Sequence, residues 1–125
     1  MIRILIAKIG LDGHDKGAKI ISKYLRDKGH EVVYSGIRHT PSSIVNIAIQ
    51  EDVDLIGVSI LSGAHNTLIP QLLKELKKNK LKTPVLVGGI ISKKDADHLE
   101  SLGVKKVFHT VSSLDKIEKY LHEIN

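Results

Sequence analysis

Five short runs rich in Ile, Leu and Val recur along the 125 residues, and each is followed by a stretch whose apolar residues fall at three- and four-residue spacing. That alternation restricts the chain to parallel strands joined by helical crossovers. Strands are expected over 2–8, 31–35, 55–59, 84–87 and 105–108, and helices over 17–28, 41–51, 67–79, 93–102 and 113–123. The first run, with Ile2, Ile4, Leu5, Ile6 and Ala7, suits a strand covered on both faces. Thr40 followed by Pro41 reads as an N-cap and first helical position, and Gly29 as a helix stop. With right-handed crossovers, the expected fold is α/β: a flavodoxin-like (Rossmann-like), doubly wound five-stranded parallel sheet of order 2-1-3-4-5, with helices on both faces. The length suits one domain, 1–125, and no internal repeat or low-complexity linker interrupts it.

The topology makes three distant segments converge. Lys8 ends the first strand, and Asp12, Gly13, His14, Asp15 and Gly17 follow it. Ser59 ends the third, followed by Leu61, Ser62, Gly63 and His65, and Gly88 and Gly89 follow the fourth. Strands 1, 3 and 4 are neighbours in that order, so all three segments reach the carboxyl edge beside the switch point, where open α/β sheets bind ligands. An imidazole at His14, between small and acidic residues, suits a ligand-presenting loop. The glycine pair lets something flat and bulky approach the backbone, although a tight turn explains such a pair equally well on its own. Asp15 and Lys16 fit the start of the first helix, and His65 fits either a site border or a cap of the third.

Composition removes other classes. A TIM barrel needs about 250 residues, so a large substrate cavity would have to come from another chain. With 0 Cys there is no disulfide framework or thiolate metal site, which fits a reducing, cytoplasmic setting. No apolar run of about 18 residues occurs, and Met1 leads directly into the first strand, so neither a membrane span nor a signal peptide is expected. The net charge of +5 does not indicate nucleic acid, because only 3% of residues are aromatic and the lysines are spread over helix faces.

The motif Asp-x-His-x-x-Gly at Asp12, His14 and Gly17, then Ser-x-Leu at Ser59 and Leu61, then Gly-Gly at Gly88 and Gly89, resembles the cobalamin-binding domain and small subunit of the methylmalonyl-CoA mutase family. The fuller string around Gly13 is similar to the acyl-CoA mutase branch. The resemblance covers nearly the whole chain. It implies adenosylcobalamin held in base-off form, with His14 replacing the cofactor's own dimethylbenzimidazole as the lower axial ligand of cobalt. Asp12 would orient that imidazole, and Lys8 would partner Asp12. Ser59 would hydrogen-bond the buried nucleotide tail, Leu61 would pack on it, and Gly88 and Gly89 would make room for it, bordered by Ser62 and Gly63.

The family commonly has a glycine-rich turn after the fifth strand. This chain has Phe108, His109, Thr110, Val111, Ser112 and Ser113 there, leaving Thr110 as a hydroxyl on that wall. The resemblance further implies the cofactor-binding subunit of an isomerase, an intramolecular transferase that rearranges a carbon skeleton by radical chemistry and interconverts methylmalonyl-CoA and succinyl-CoA or a close analogue. Activity would require a large, barrel-bearing substrate subunit, with no catalytic residue on this chain beyond the cofactor ligand. The alternative is a stand-alone cobalamin carrier or sensor. Corrinoid methyltransferases usually place a helical bundle ahead of this domain. A phospho-receiver is disfavoured because Ser59 stands where it needs an aspartate.

Overall fold

The computed structural model describes residues 2–9, 16–60, 65–89, 91–109 and 114–124. Strands and helices alternate as β1 (Arg3–Lys8), α1 (Lys16–Asp27), β2 (Glu31–Tyr34), α2 (Pro41–Glu51), β3 (Leu55–Ser59), α3 (His65–Lys78), β4 (Val85–Gly89), α4 (Lys93–Leu102), β5 (Lys106–His109) and α5 (Leu114–Ile124). All strand pairs are parallel, and the sheet order is β2-β1-β3-β4-β5, as the alternation predicts.

Residue parity along the strands decides which helices cover which face. Leu5, Ala7, Ile56, Val58, Val85 and Val87 point to one side and join Ile44, Val45, Ile69, Leu72 and Leu99 of α2, α3 and α4 in a single core. Ile4, Ile6, Leu55 and Leu86 point to the other, where Ala18 and Leu25 of α1 and Leu121 of α5 meet them. Each fully buried Leu or Ile contributes roughly 1.5–3 kcal/mol, so the two cores fix the helices on both faces. No helix among the described residues is long and apolar enough to cross a membrane.

The ends of the elements follow local chemistry. Thr40 caps α2 in a reciprocal box: its Oγ1 accepts from the Ser43 backbone N–H at 3.1 Å, and its own N–H donates to Ser43 Oγ at 3.0 Å. Pro41 follows at the first helical position. Gly29, at φ +96°, takes the left-handed conformation that ends α1. Two boundaries depart from the sequence reading by two residues, and the others by one at most. Gly88 and Gly89 lie inside β4, paired with Phe108 and His109, rather than after it. Helix α3 starts at His65, two residues before Thr67.

Candidate functional site

Strand register lines up the polar end of the sheet. Lys8 is opposite Ser59, Ser59 opposite Gly88, and Gly88 opposite Phe108, so four residues from four strands form one row on the α1/α5 face. Lys8 is only 2% exposed. Its backbone N–H donates to Ser35 Oγ at 3.1 Å, just past β2. The Nε2–H of His39 donates to the Ser35 carbonyl at 2.6 Å, and Ile9 forms a parallel bridge with His39. The β2–α2 connection therefore pins the end of β1 immediately before the segment that carries His14.

Behind this row an apolar cavity runs from Ser59 and Gly88 down to Ile4 and Leu55, walled by Ile21 and Leu25 of α1, Phe108 of β5, and Ile117 and Leu121 of α5. Its interior admits water-sized spheres over about 50 Å³. Its lining is almost wholly Leu, Ile, Val and Phe. The space thus suits an apolar guest.

Three glycines shape this region differently. Gly57 sits one row below Ser59, between Ile6 and Leu86, and an added Cβ would approach Ile6 Cδ1 to 3.1 Å. It forms part of the cavity floor. At Gly88 a Cβ would meet nothing nearer than the Phe108 carbonyl oxygen, at 3.9 Å, so its missing side chain leaves open space in the cavity. Gly89 points to the opposite face, where a Cβ would run into the carbonyl oxygen of Ile60. Gly88 makes room for a guest, whereas Gly89 makes room for the neighbouring backbone. Gly17 lies exposed in the first turn of α1 with nothing within 4 Å of a built Cβ.

Two polar contacts frame the site. Tyr24 Oη donates to Asp115 Oδ1 at 2.8 Å, tying α1 to α5, and the carboxylate pushes the phenol pKa up. On the other face, His65 Nε2 lies 2.8 Å from Asp95 Oδ2, joining the starts of α3 and α4. The hydrogen bond from His65, with others from Asn66 and Ser92, holds the Asp95 carboxyl below the usual range against the opposing effect of desolvation. With Asp95 ionised, His65 donates from Nε2.

Of the residues singled out from sequence, Lys8, Ser59 and Gly88 come together in the row, with Gly89 beside it. Asp12, Gly13, His14, Asp15, Leu61, Ser62, Gly63 and Thr110 lie outside the described residues. The sequence reading missed Gly57 and the apolar walls. A glycine interrupting the run Leu55, Ile56, Val58 was the available signal for the first; the walls carry none beyond ordinary helical periodicity. Asp95 was also missed, since only the fold brings it to His65. Among the described residues no cluster of three or more His, Cys, Asp or Glu could hold a metal ion.

The cavity presents an apolar interior, with Ser59 as a polar residue on its lining. The chain is 48% identical over 107 residues to the 2-hydroxyisobutanoyl-CoA mutase small subunit of Aquincola tertiaricarbonis, covering 85% of this chain and 79% of that one. It is 43% identical over 107 residues to methylmalonyl-CoA mutase of Rhizobium meliloti (strain 1021), covering 85% of this chain but only 15% of that much longer one. A novel cobalamin-binding protein from Desulfitobacterium hafniense DCB-2 shares the fold, with a TM-score of 0.82 at 18% identity over 99% of this chain and 59% of that one. The family model of the B12 binding domain matches residues 2–113, nearly the entire run from β1 to the start of α5, and on that match the chain belongs to the B12-binding domain family.

Proposed function

We propose that this chain is the cobalamin-carrying small subunit of an adenosylcobalamin-dependent acyl-CoA mutase, working in the cytoplasm with a large substrate-binding subunit. The observation that carries the reading is the row Lys8, Ser59 and Gly88 at the mouth of an apolar cavity, at the carboxyl edge of the sheet. The rearrangement would interconvert a branched and a linear acyl-CoA, methylmalonyl-CoA and succinyl-CoA or a close analogue. The small-subunit relative supports the division into two chains, and the long mutase supports a much larger partner surface than this domain offers.

The cofactor supplies the radical chemistry through its cobalt–carbon bond, while the protein supplies orientation and shielding. The dimethylbenzimidazole tail would enter between α1, α5 and the sheet, with the Ser59 hydroxyl at its polar edge and Gly57 and Gly88 leaving it space. His14 would ligate the cobalt, and Asp12 would orient its imidazole. Lys8 suits the next link of that relay, because a buried ammonium is stable only when paired.

The test is titration with adenosylcobalamin, followed by EPR of the reduced cobalamin complex in protein carrying nitrogen-15 histidine. Isotope-dependent hyperfine structure that disappears in His14→Ala, together with mutase activity on adding a large subunit, is the expected result. A complex without an isotope effect leaves a carrier that keeps the cofactor's own base. Absence of binding overturns the reading.

A further inference from the structure

At the amino ends of β4 and β5, opposite the edge that carries Ser59 and Gly88, an open groove lies between the α3–β4 connection, 79–84, and the α4–β5 connection, 103–105. The way the two helices end sets its walls. The Leu81 N–H donates back to the Leu76 carbonyl at 2.9 Å, and the Val104 N–H to the Leu99 carbonyl at 3.1 Å. Leu73, Leu81 and Leu102 form the apolar part of the groove. Leu102, at 46%, is one of three large apolar side chains left exposed among the described residues.

The groove carries one sign of charge. Lys77, Lys82 and Lys105 line it beside the leucines, and among the described residues no Asp or Glu does. None of the three has a carboxylate partner among those residues, whereas Lys23 and Lys93 pair with Asp27 and Asp97 on their own helices. The helix dipole accounts for Lys77, in the last turn of α3. It does not account for Lys82 or Lys105, which stand in the connections.

We infer that this groove docks an acidic, amphipathic segment of another protein chain, with apolar side chains on Leu73, Leu81 and Leu102 and carboxylates on the lysines. Such a segment satisfies both halves of the surface. Nucleic acid matches only the lysines, and no aromatic side chain lines the groove to stack a base. A second copy in an isologous contact would bring the same three lysines against these, where like charges repel. Groove and cofactor edge lie at opposite ends of the strands, so docking here leaves Ser59 and Gly88 accessible. The inference stands independently of the cobalamin reading.

The experiment follows the leucine methyl signals of the full, carbon-13-labelled chain by NMR during titration with three probes. These are a synthetic peptide of Leu and Glu at helical spacing, the same peptide with Lys in place of Glu, and polyglutamate. The Leu–Glu peptide should shift Leu73, Leu81 and Leu102 to saturation and bind more weakly as salt is raised. Its affinity should fall about tenfold in Leu102→Ser and in the double variant Lys82→Glu, Lys105→Glu. All three positions are exposed, so the variants keep the fold, which an unchanged urea midpoint verifies. The Leu–Lys peptide should leave the groove signals in place, and polyglutamate should bind at least tenfold more weakly than the Leu–Glu peptide. Absence of groove shifts, or shifts as large elsewhere on the surface, overturns the proposal. Equal affinity for the Leu–Lys peptide overturns the part played by charge. Equal affinity for polyglutamate or a single-stranded oligonucleotide makes the surface a general polyanion binder and overturns it as well. Sedimentation of the chain alone completes the test: a dimer that Leu102→Ser converts to monomer assigns the groove to a second copy instead.

Discussion

Ser59 lies directly opposite Gly88 in the parallel pairing of β3 with β4, and this pair forms the mouth of the cavity beneath α1 and α5. One member offers a hydroxyl and the other offers nothing. That asymmetry makes a polar rim over an apolar interior, which is what a flat aromatic group bearing ring nitrogens needs. It also separates two glycines that look equivalent in the sequence.

Gly88→Leu should leave the fold standing, because its side chain enters open space, but it should fill the cavity. We expect weakened binding of complete cobalamin and much smaller change for a corrinoid that lacks the nucleotide tail. Isothermal titration with both ligands checks this, and equal losses for the two would remove the tail from the cavity.

Gly89→Ala should behave in the opposite way. The new Cβ is directed at the Ile60 carbonyl, which is backbone and cannot swing aside, so the strand must shift. Overpacking of this kind costs about 1–3 kcal/mol. A lowered urea midpoint with an unchanged slope is the expected outcome; wild-type stability would show that the β3–β4 spacing yields more readily than its geometry suggests.

Much of this arrangement was legible in the sequence, for physical reasons. Alternating strand and helix patterns leave little choice of topology, and Ser59 and Gly88 are small or polar residues where an apolar strand ends. The length of β4 was not legible. Glycine disfavours strands, yet pairing of Gly88 and Gly89 with Phe108 and His109 outweighs that local preference. The early start of α3 was hidden for a similar reason, since His65 is held there by Asp95, a residue 30 positions away. Cavity walls such as Ile21 and Ile117 were hidden because a residue bordering a void and one filling a core obey the same periodicity.

The depressed Asp95 carboxyl gives a pH dependence with a definite sign. Its folded pKa lies below the unfolded value of about 3.9, so the stabilisation it provides is complete above roughly pH 4 and is lost as pH falls through the folded value. Asp95→Asn should lower stability near neutrality and flatten the acid limb of the curve. Urea unfolding at a series of acidic pH values reads this, and parallel curves for variant and wild type would assign the acid limb to other carboxylates.

The reciprocal cap on α2 provides a stability change away from the cavity. Thr40→Ala removes the acceptor for the Ser43 N–H and should cost about 1 kcal/mol. Corrinoid affinity should stay the same, because neither Thr40 nor Ser43 lines the cavity. A large loss of affinity in this variant would mean that the β2–α2 connection, through His39 and Ser35, transmits strain to the end of β1.

The bond from Tyr24 to Asp115 joins α1 to α5, the two helices whose Ile21, Leu25, Ile117 and Leu121 wall the cavity. Seating a tail beneath these two helices through the Ser59–Gly88 mouth spreads them, so this bond opposes binding. Tyr24→Phe keeps the ring that packs on the Ile4 and Ile6 side of the sheet and removes only the hydroxyl. The variant should therefore bind cobalamin with a faster association rate, while a corrinoid without a tail should associate at the wild-type rate. Stopped-flow absorbance measures both. If the two ligands were accelerated equally, the helices would be gating the ring rather than the tail; if neither changed, seating the tail would not spread α1 and α5.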